Sequence, residues 1–419
     1  MIELFNLILF EFMMHILYFH QHFSTPEGST GTRSYEMSKK LVVNGHKVTI
    51  VCGSYAGGHT GIQQPFNGGV RKGTVENIDI IEFDLAYSNS TGFAMRAWFF
   101  LLFALRAIHV ALFTKADLIF ATSTPLTAGI PGIVARWIKG MPFVFEVRDL
   151  WPELPREMKV ITNPAILAMM SFLEWASYKS AHRLIGLSPG IVEGIKRHNI
   201  SSDKIALIPN GCDLDVFDGS KNTWRPEGVN PDDLMAVFTG THGRANGLDA
   251  VLDTARILQG QEHNNIKFVL IGQGKLKPEL QKRAKKESLN NIIFLDPVSK
   301  VELAKLMAGA DIGMQILANI PAFYYGTSPN KFFDYLSASL PIITNYPGWV
   351  ADLITENKCG YAVPPETPEL FARALCEARD NNDLKVMGAN ARKIAKSEFS
   401  RDKLSTKFSS WLEETVDQQ

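Results

Sequence analysis

The sequence predicts an α/β protein built from two doubly wound, Rossmann-like domains. Short apolar runs alternate with amphipathic stretches of helical length along the chain, the pattern of parallel sheets covered on both faces. Each half opens on a strand, a glycine-rich loop and a helix. Between the halves stands Ile208-Pro209-Asn210-Gly211-Cys212-Asp213-Leu214-Asp215-Val216-Phe217, whose Asn-Gly turn can carry the chain out of one sheet.

Residues 1–13 are apolar, yet they hold two acids and no basic stretch, and they run straight into another strand-like segment. A spanning helix takes about 20 apolar residues, and a signal peptide needs Lys or Arg ahead of its apolar core. These residues are expected to be an N-terminal extension, either an upstream-start artefact or a short membrane-touching tail, with the folded domain beginning at Met14. Strand candidates of the first domain, 14–217, are 15–20, 47–53, 78–83, 117–122, 142–147, 183–187 and 205–208. Residues 218–231, with Gly219, Pro226, Gly228 and Pro231, form the most turn-rich piece of the middle and read as a linker. In the second domain, 232–395, the candidates are 235–239, 267–272, 291–295, 311–316, 341–344 and 360–363. No repeat of fixed period runs through the chain, so the halves are alike in structure rather than turns of a solenoid. The end of the chain, including 396–419, reads as charged helix.

The 419 residues, 46% hydrophobic and 21% charged, are enough for two cores. A formal net charge of zero gives no general attraction to polyanions and argues against nucleic acid as a partner. Cys52, Cys212, Cys359 and Cys376 are scattered, with neither zinc-site spacing nor the density of a secreted scaffold, which fits a reducing compartment. No D-x-D or other metal-ligand cluster is evident in a suitable loop.

Doubly wound sheets bind ligands at the carboxyl ends of their strands, and five segments there can carry chemistry. The first strand exits into Ser24–Arg33, where Gly28 and Gly31 precede a helix and allow a backbone loop to approach a phosphate or sugar. The run Pro142–Glu153 places Glu146, Arg148 and Asp149 at the end of an apolar strand, where charge is costly unless paired or employed. The second domain opens on Phe238-Thr239-Gly240-Thr241-His242-Gly243-Arg244-Ala245-Asn246-Gly247, and the next strand ends in Ile271-Gly272-Gln273-Gly274-Lys275. Arg244 and Lys275, each beside a glycine, are candidate cations for a diphosphate. Finally, Ser328-Pro329-Asn330-Lys331 leads into a helix that carries Asp334 one turn in, where an acid can accept ribose hydroxyls.

Taken in order, these segments resemble the family 4 glycosyltransferases over essentially residues 14–410, and most closely the WbuB-like group, transferases of N-acetyl-L-fucosamine in bacterial surface-polysaccharide assembly. The resemblance implies a retaining GT-B enzyme with a sugar nucleotide in the cleft between the domains, and a terminal helix, 396–419, that crosses back to the first one. It places Gly28 and Gly31 against donor pyrophosphate and acceptor, and it makes Gly240, Gly243, Gly272, Ser328, Asn330 and Lys331 donor contacts. Asp334 takes the ribose position, and backbone near Val298 reads uracil, which makes UDP the nucleotide. Relatives carry a His where this chain has Arg148, and Arg is no base at neutral pH; Asp149 is then the acceptor or donor-sugar contact, with Arg148 as its phosphate or carboxylate partner. Relatives also carry Arg and Lys at the places of Thr241 and Asn246, a second Glu at that of Gly326, and Gly at that of Ser339.

No cofactor beyond the UDP-sugar is implied. The helix candidate 92–113 is unusually apolar and reads as a core helix or as an interfacial one. In the second reading Trp98, Phe99 and Leu102 face lipid and Arg96 and Arg106 meet headgroups. That reading suits a polyprenyl-diphosphate-linked saccharide acceptor and a peripheral position on the cytoplasmic face of the inner membrane. The competing functions are a UDP-sugar 2-epimerase of the same fold and a non-catalytic sugar-nucleotide-binding protein.

Overall fold

A computed structural model describes residues 13–28, 31–88, 91–217, 223–380 and 383–417. The expected extension, except Met13, and residues 218–222 of the expected linker lie outside the described residues. The chain divides into two compact units, 1–209 with 402–419, and 210–401.

The first unit is built on eight strands: β1 His15–Phe19, β2 Lys47–Tyr55, β3 Val70–Val75, β4 Ile78–Tyr87, β5 Leu118–Thr122, β6 Phe143–Val147, β7 Arg183–Gly186 and β8 Ile205–Leu207. Their order is β3-β4-β2-β1-β5-β6-β7-β8, and every pairing is parallel except β3 with β4. Strands β1, β5 and β6 are mainly apolar and, apart from His15, fully buried because helices cover both faces of the sheet, and the one acid among them is Glu146. The sequence reading has no counterpart for β3. It is a half-exposed edge strand of sequence V-R-K-G-T-V, joined to β4 by Glu76-Asn77 with φ of 47° and 64°. That is the geometry of a two-residue hairpin turn, here without the glycine that usually announces one.

On one face of this sheet the helix Arg33–Val43 neighbours the terminal helix Arg401–Asp417, joined through Lys40–Asp402 (2.9 Å) and Asn44–Ser409 (2.9 Å). Phe408 reaches the rings of Tyr18 and Phe120, and Arg183 pairs with Glu414 at 2.7 Å. The helices Phe93–Phe113, Ile130–Lys139 and Pro164–Ser180 lie side by side, the middle one touching the other two. A Cβ on Gly132 of the middle helix would stand 2.2 Å from the Phe143 ring of β6, so that helix can approach the sheet only with glycine there.

The second unit has six parallel strands: β9 Leu234–Thr239, β10 Ile266–Ile271, β11 Ile292–Leu295, β12 Ile312–Gln315, β13 Ile342–Thr344 and β14 Gly360–Ala362, ordered β11-β10-β9-β12-β13-β14. Its core gathers Phe238, Leu252, Phe268, Leu270 and Met314 with Phe371 and Leu375 of the helix Pro368–Asp380. Strand order reverses between β9 and β12, as it does between β1 and β5 in the first unit. Ligands of doubly wound sheets bind at such points, beyond the carboxyl ends of the strands.

Candidate functional site

In the second unit three loops meet at the reversal point. His242 N donates to Gln273 O at 2.9 Å, tying the β9 loop to the β10 loop, and Ala318 N donates to Ala245 O at 2.9 Å, tying it to the loop after β12. The approach is close enough to require glycine. Gly240 and Gly272 have φ of 141° and 147°, and a Cβ on Gly272 would fall 1.9 Å from Gly240 O. Gly243 ends the tight part, and Arg244 and Lys275 project from the two loops as exposed side chains. His242 lies beneath them, fully buried between Phe238 and Phe294. Burial, then the charges of Lys277 and Lys331, pull its imidazole down to about 4.

The helix Asn330–Ser337 starts at this edge, with Asn330 exposed at its first position. Lys331 reaches back to the β9 loop, its Nζ 2.8 Å from Asn246 Oδ1 and 4.5 Å from the centre of the Phe238 ring. Ser328 is anchored from the interdomain phrase, since Asn210 N donates to its Oγ at 3.0 Å and Asn210 Nδ2 to its carbonyl at 2.6 Å. Asp334, expected to meet ribose, stands 3.6 Å from Lys300, which also pairs with Asp213. Burial raises the Asp334 carboxyl, with Asp213 adding to it, against the lowering pull of Lys300 and Arg401. Asp213 is held at about 2: burial pushes it up, and Arg401 and Lys300 outweigh that push. Lys300 therefore belongs to this group of charges, and the sequence reading missed it. Its signal was Ser299, which caps the helix Lys300–Gly309 just after the Val298 loop. Ser339 adopts φ of 57°, the left-handed conformation that favours glycine.

In the first unit the reversal point gathers His20, Ser123, Arg148 and Asp149. Arg148 N donates to Ser123 Oγ at 2.8 Å, and its guanidinium lies 3.4 Å from His20 Nε2. Burial, then Arg148 and His22, keep His20 well below the usual imidazole range, so it stays neutral. Burial raises the Asp149 carboxyl against the pull of Arg148 and a 3.5 Å contact from Thr124 Oγ1. Glu146, grouped with these charges in the sequence, is instead part of the scaffold. It is fully buried and takes Arg33 Nε at 3.0 Å, Arg33 Nη2 at 2.8 Å and Thr122 Oγ1 at 2.8 Å, while Arg33 also bonds the carbonyls of Ile208 and Pro209. Gly28 packs inside its own loop, where a Cβ would meet Ser24 Oγ at 2.2 Å; Gly31 is exposed just before the helix.

The helix Phe93–Phe113 is long and apolar enough to cross a membrane, but Phe103, Ala104, Ala107 and Ala111 are buried against the unit. Trp98 is exposed, whereas Phe99 and Leu102 are half-buried. The two arginines do not extend outward as expected. Arg106 donates to Gly69 O at 3.0 Å beside the Phe83 ring, and Arg96 lies over the ring of Tyr87, because each guanidinium finds an acceptor or an aromatic face closer than solvent.

Comparison with known proteins places each half. The family model "Glycosyl transferase 4-like domain" matches residues 28–211, and "Glycosyl transferases group 1" matches 220–394. The chain belongs to the GT-B glycosyltransferases. Among curated relatives, D-inositol 3-phosphate glycosyltransferase of Streptomyces scabiei is 25% identical over 233 residues, 52% of this chain and 51% of that protein. O-antigen chain mannosyltransferase C of Escherichia coli is 24% identical over 251 residues, 58% of this chain and 63% of that protein. The matches thus span between half and two thirds of these relatives. Sucrose-phosphate synthase of Thermosynechococcus elongatus superposes with a TM-score of 0.74 at 14% identity, covering 97% of this chain and all (100%) of that one. Anabaena HepE in complex with UDP and glucose superposes with a TM-score of 0.65 at 16% identity, covering 95% and 98%. Both share the fold of this glycosyltransferase.

Proposed function

We propose that this glycosyltransferase is a retaining enzyme that moves a sugar from a UDP-sugar to a lipid-linked saccharide in the synthesis of O-antigen, capsule or exopolysaccharide. The observation that carries the reading is the reversal point of the second unit, where two bare glycine loops and the Ser328–Lys331 segment meet with Asp334 one turn behind. Glycine loops, cations and an acid at such an edge suit a diphosphate and a ribose. The UDP complex of HepE supports a uridine nucleotide, read by backbone near Val298, and the O-antigen mannosyltransferase supports a surface polysaccharide. An N-acetylated amino sugar such as N-acetyl-L-fucosamine is the donor sugar suggested by the motif resemblance.

In this reading the donor's anomeric carbon–oxygen bond breaks, its electron pair stays on the diphosphate, and the acceptor hydroxyl attacks from the same face. The hydroxyl proton passes to the departing phosphate oxygen, so no strong side-chain base is called for. Catalysis comes from positioning and from stabilisation of the diphosphate's charge by Arg244, Lys275 and helix amides of the second unit, while on the first unit Asp149 is the acceptor or donor-sugar contact and Arg148 a phosphate or carboxylate partner. The test is an incubation of membranes and purified protein with a panel of radiolabelled UDP-sugars. A new lipid-linked glycoside is the expected product. An epimerised UDP-sugar would replace the reading with the 2-epimerase, and unchanged donor with a non-catalytic binding protein.

The acceptor's lipid is met by the first unit. The exposed aromatic side chains Phe93, Trp98, Phe113, Trp137, Phe172 and Trp175 all belong to the three adjacent helices, with one exposed tryptophan on each. These helices carry a single acid, Glu174, which is buried, while Lys139 and Lys179 are exposed. Exposed tryptophans, aliphatic surface and lysines without exposed acids suit a bilayer with anionic headgroups, which supports the reading of a peripheral protein on the cytoplasmic face of the inner membrane.

A further inference from the structure

We propose that the Lys331 ammonium, not a cation on the β9 loop itself, is the charge that first receives the donor's diphosphate, and that it takes up a proton as the donor binds. The inference rests on the donor reading above and names the group that meets the leaving charge.

Lys331 is held at the loop without being neutralised. Its one hydrogen bond goes to the neutral amide oxygen of Asn246, whose Nδ2 is in turn committed to Thr241 O at 2.6 Å. Its other contact is the face of Phe238, and its terminal atoms lie along the bare Gly240, where a Cβ would stand 3.1 Å from Cε and 3.4 Å from Nζ. Among the described residues no carboxylate pairs with it. The neighbouring Lys277 is the contrast: its Nζ is fully occupied by Gly272 O, Leu295 O and Asp296, at 2.9, 2.9 and 2.7 Å. Lys277 therefore fastens the β10 loop, and Lys331 has donors to spare.

The surroundings make the missing partner an anion. Burial alone pulls the Lys331 ammonium down to about 7. The ionisable groups that face it across the loop are His242, kept neutral, and beyond it Lys277; neither supplies negative charge. A diphosphate bound beside Lys331 Nζ at the edge of the β9 loop supplies that charge and restores the protonated lysine. Asn246 then serves as the tether that sets the ammonium in place.

The test is calorimetry of UDP binding from about pH 7.5 to about 9.5, where the terminal phosphate of UDP, with a pKa of about 6, is fully ionised. GDP and ADP are run alongside. The variants are Lys331→Met and the double variant Asn246→Lys/Lys331→Met, which returns a lysine from the loop side. Wild-type affinity for UDP is expected to fall with rising pH by up to about tenfold per unit. Lys331→Met is expected to bind about 30-fold more weakly at the lower pH and to lose that slope, and the double variant to regain at least part of the affinity. A melting temperature no lower than wild type is expected for Lys331→Met, since the change replaces a buried amine that has no acidic partner among the described residues with an apolar side chain of similar length. Unchanged UDP affinity, a retained pH slope, no recovery in the double variant, or a melting temperature several degrees lower would each overturn the proposal. Wild-type protein that binds none of the three nucleotides would remove the donor reading itself, and this inference with it.

Discussion

Asp334 is the carboxylate that the proposed function assigns to ribose. Its neighbour Lys300 is shared with Asp213, so removing Asp334 leaves no unpaired cation behind. Asp334→Ala is therefore expected to fold normally and to lose about 2–3 kcal/mol of UDP binding, the worth of two hydrogen bonds to a charged acceptor. Calorimetry checks this, and unchanged affinity would reject the ribose role. Arg244 and Lys275 stand at the opposite extreme, exposed and with no ion pair among the described residues. Exchanging either for Met should lower turnover with little change in melting temperature, because their charge counts most when the leaving diphosphate is formed. Wild-type turnover in either variant would make that residue ordinary surface charge. Asp213 carries the clearest pH dependence. Its folded value, about 2, lies below the ordinary 3.8, so its contribution is complete above about pH 4 and is lost as pH falls through about 2. Asp213→Asn should cost about 2 kcal/mol at neutral pH, and the difference from wild type should vanish in strong acid; an equal difference at both ends of the range would show that the pairing with Arg401 and Lys300 is not its source.

Loops, rather than helices or strands, do the positioning at the scale of elements. The β9 and β10 loops touch through Gly240 and Gly272 with no space for a methyl group. Gly272→Ala should therefore separate the two loops, weaken nucleotide binding at least tenfold and lower stability by more than the ~1 kcal/mol that a glycine-to-alanine change costs through backbone conformation alone. Equal UDP affinity in this variant would show that the loops do not form the diphosphate site. Ser339 offers the reverse case. At φ of 57° a glycine is relaxed where serine is strained, so Ser339→Gly should raise stability by a few tenths to about 1 kcal/mol, read by denaturant melts. The strands β1, β5, β6, β9 and β10 were legible in the sequence because strands buried on both faces leave mainly apolar runs, interrupted by a charge only at Glu146 in β6 and Lys267 in β10. The edge strand β3 was not, since a half-exposed strand of mixed residues with a Glu-Asn turn has no such trace.

For the whole molecule the decisive surface is the set of three helices on the first unit. Trp98, Trp137 and Trp175 are 54%, 64% and 45% exposed, one from each helix, so replacing all three by Ser leaves the buried residues beneath them in place. The triple variant is expected to keep its melting temperature and to stop floating with anionic liposomes. Wild-type protein that never floats would sink the membrane reading, and a collapse in melting temperature would make these side chains core rather than surface. Choosing the tryptophans depends on the structure: Phe99 and Leu102 looked equally suitable on a helical repeat, yet they are half-buried against the unit.

The plan was legible in the residues alone: two doubly wound domains, the strand ends that carry loops, and the glycine and Ser-Pro-Asn-Lys segments at the edge of the second sheet. These are local signals, set by the period of apolar residues and by turn chemistry within a few positions. Which charges are spent and which are left for a ligand was decided only by tertiary structure. Glu146 is neutralised by Arg33 from 113 positions away, Lys300 reaches Asp213 across 87, and Lys331 finds Asn246 across 85 and no acid among the described residues. A charged residue at a strand end reads alike in sequence whether it is paired or unpaired, because its partner arrives from another element and the cost of burying it appears only once the chain has folded.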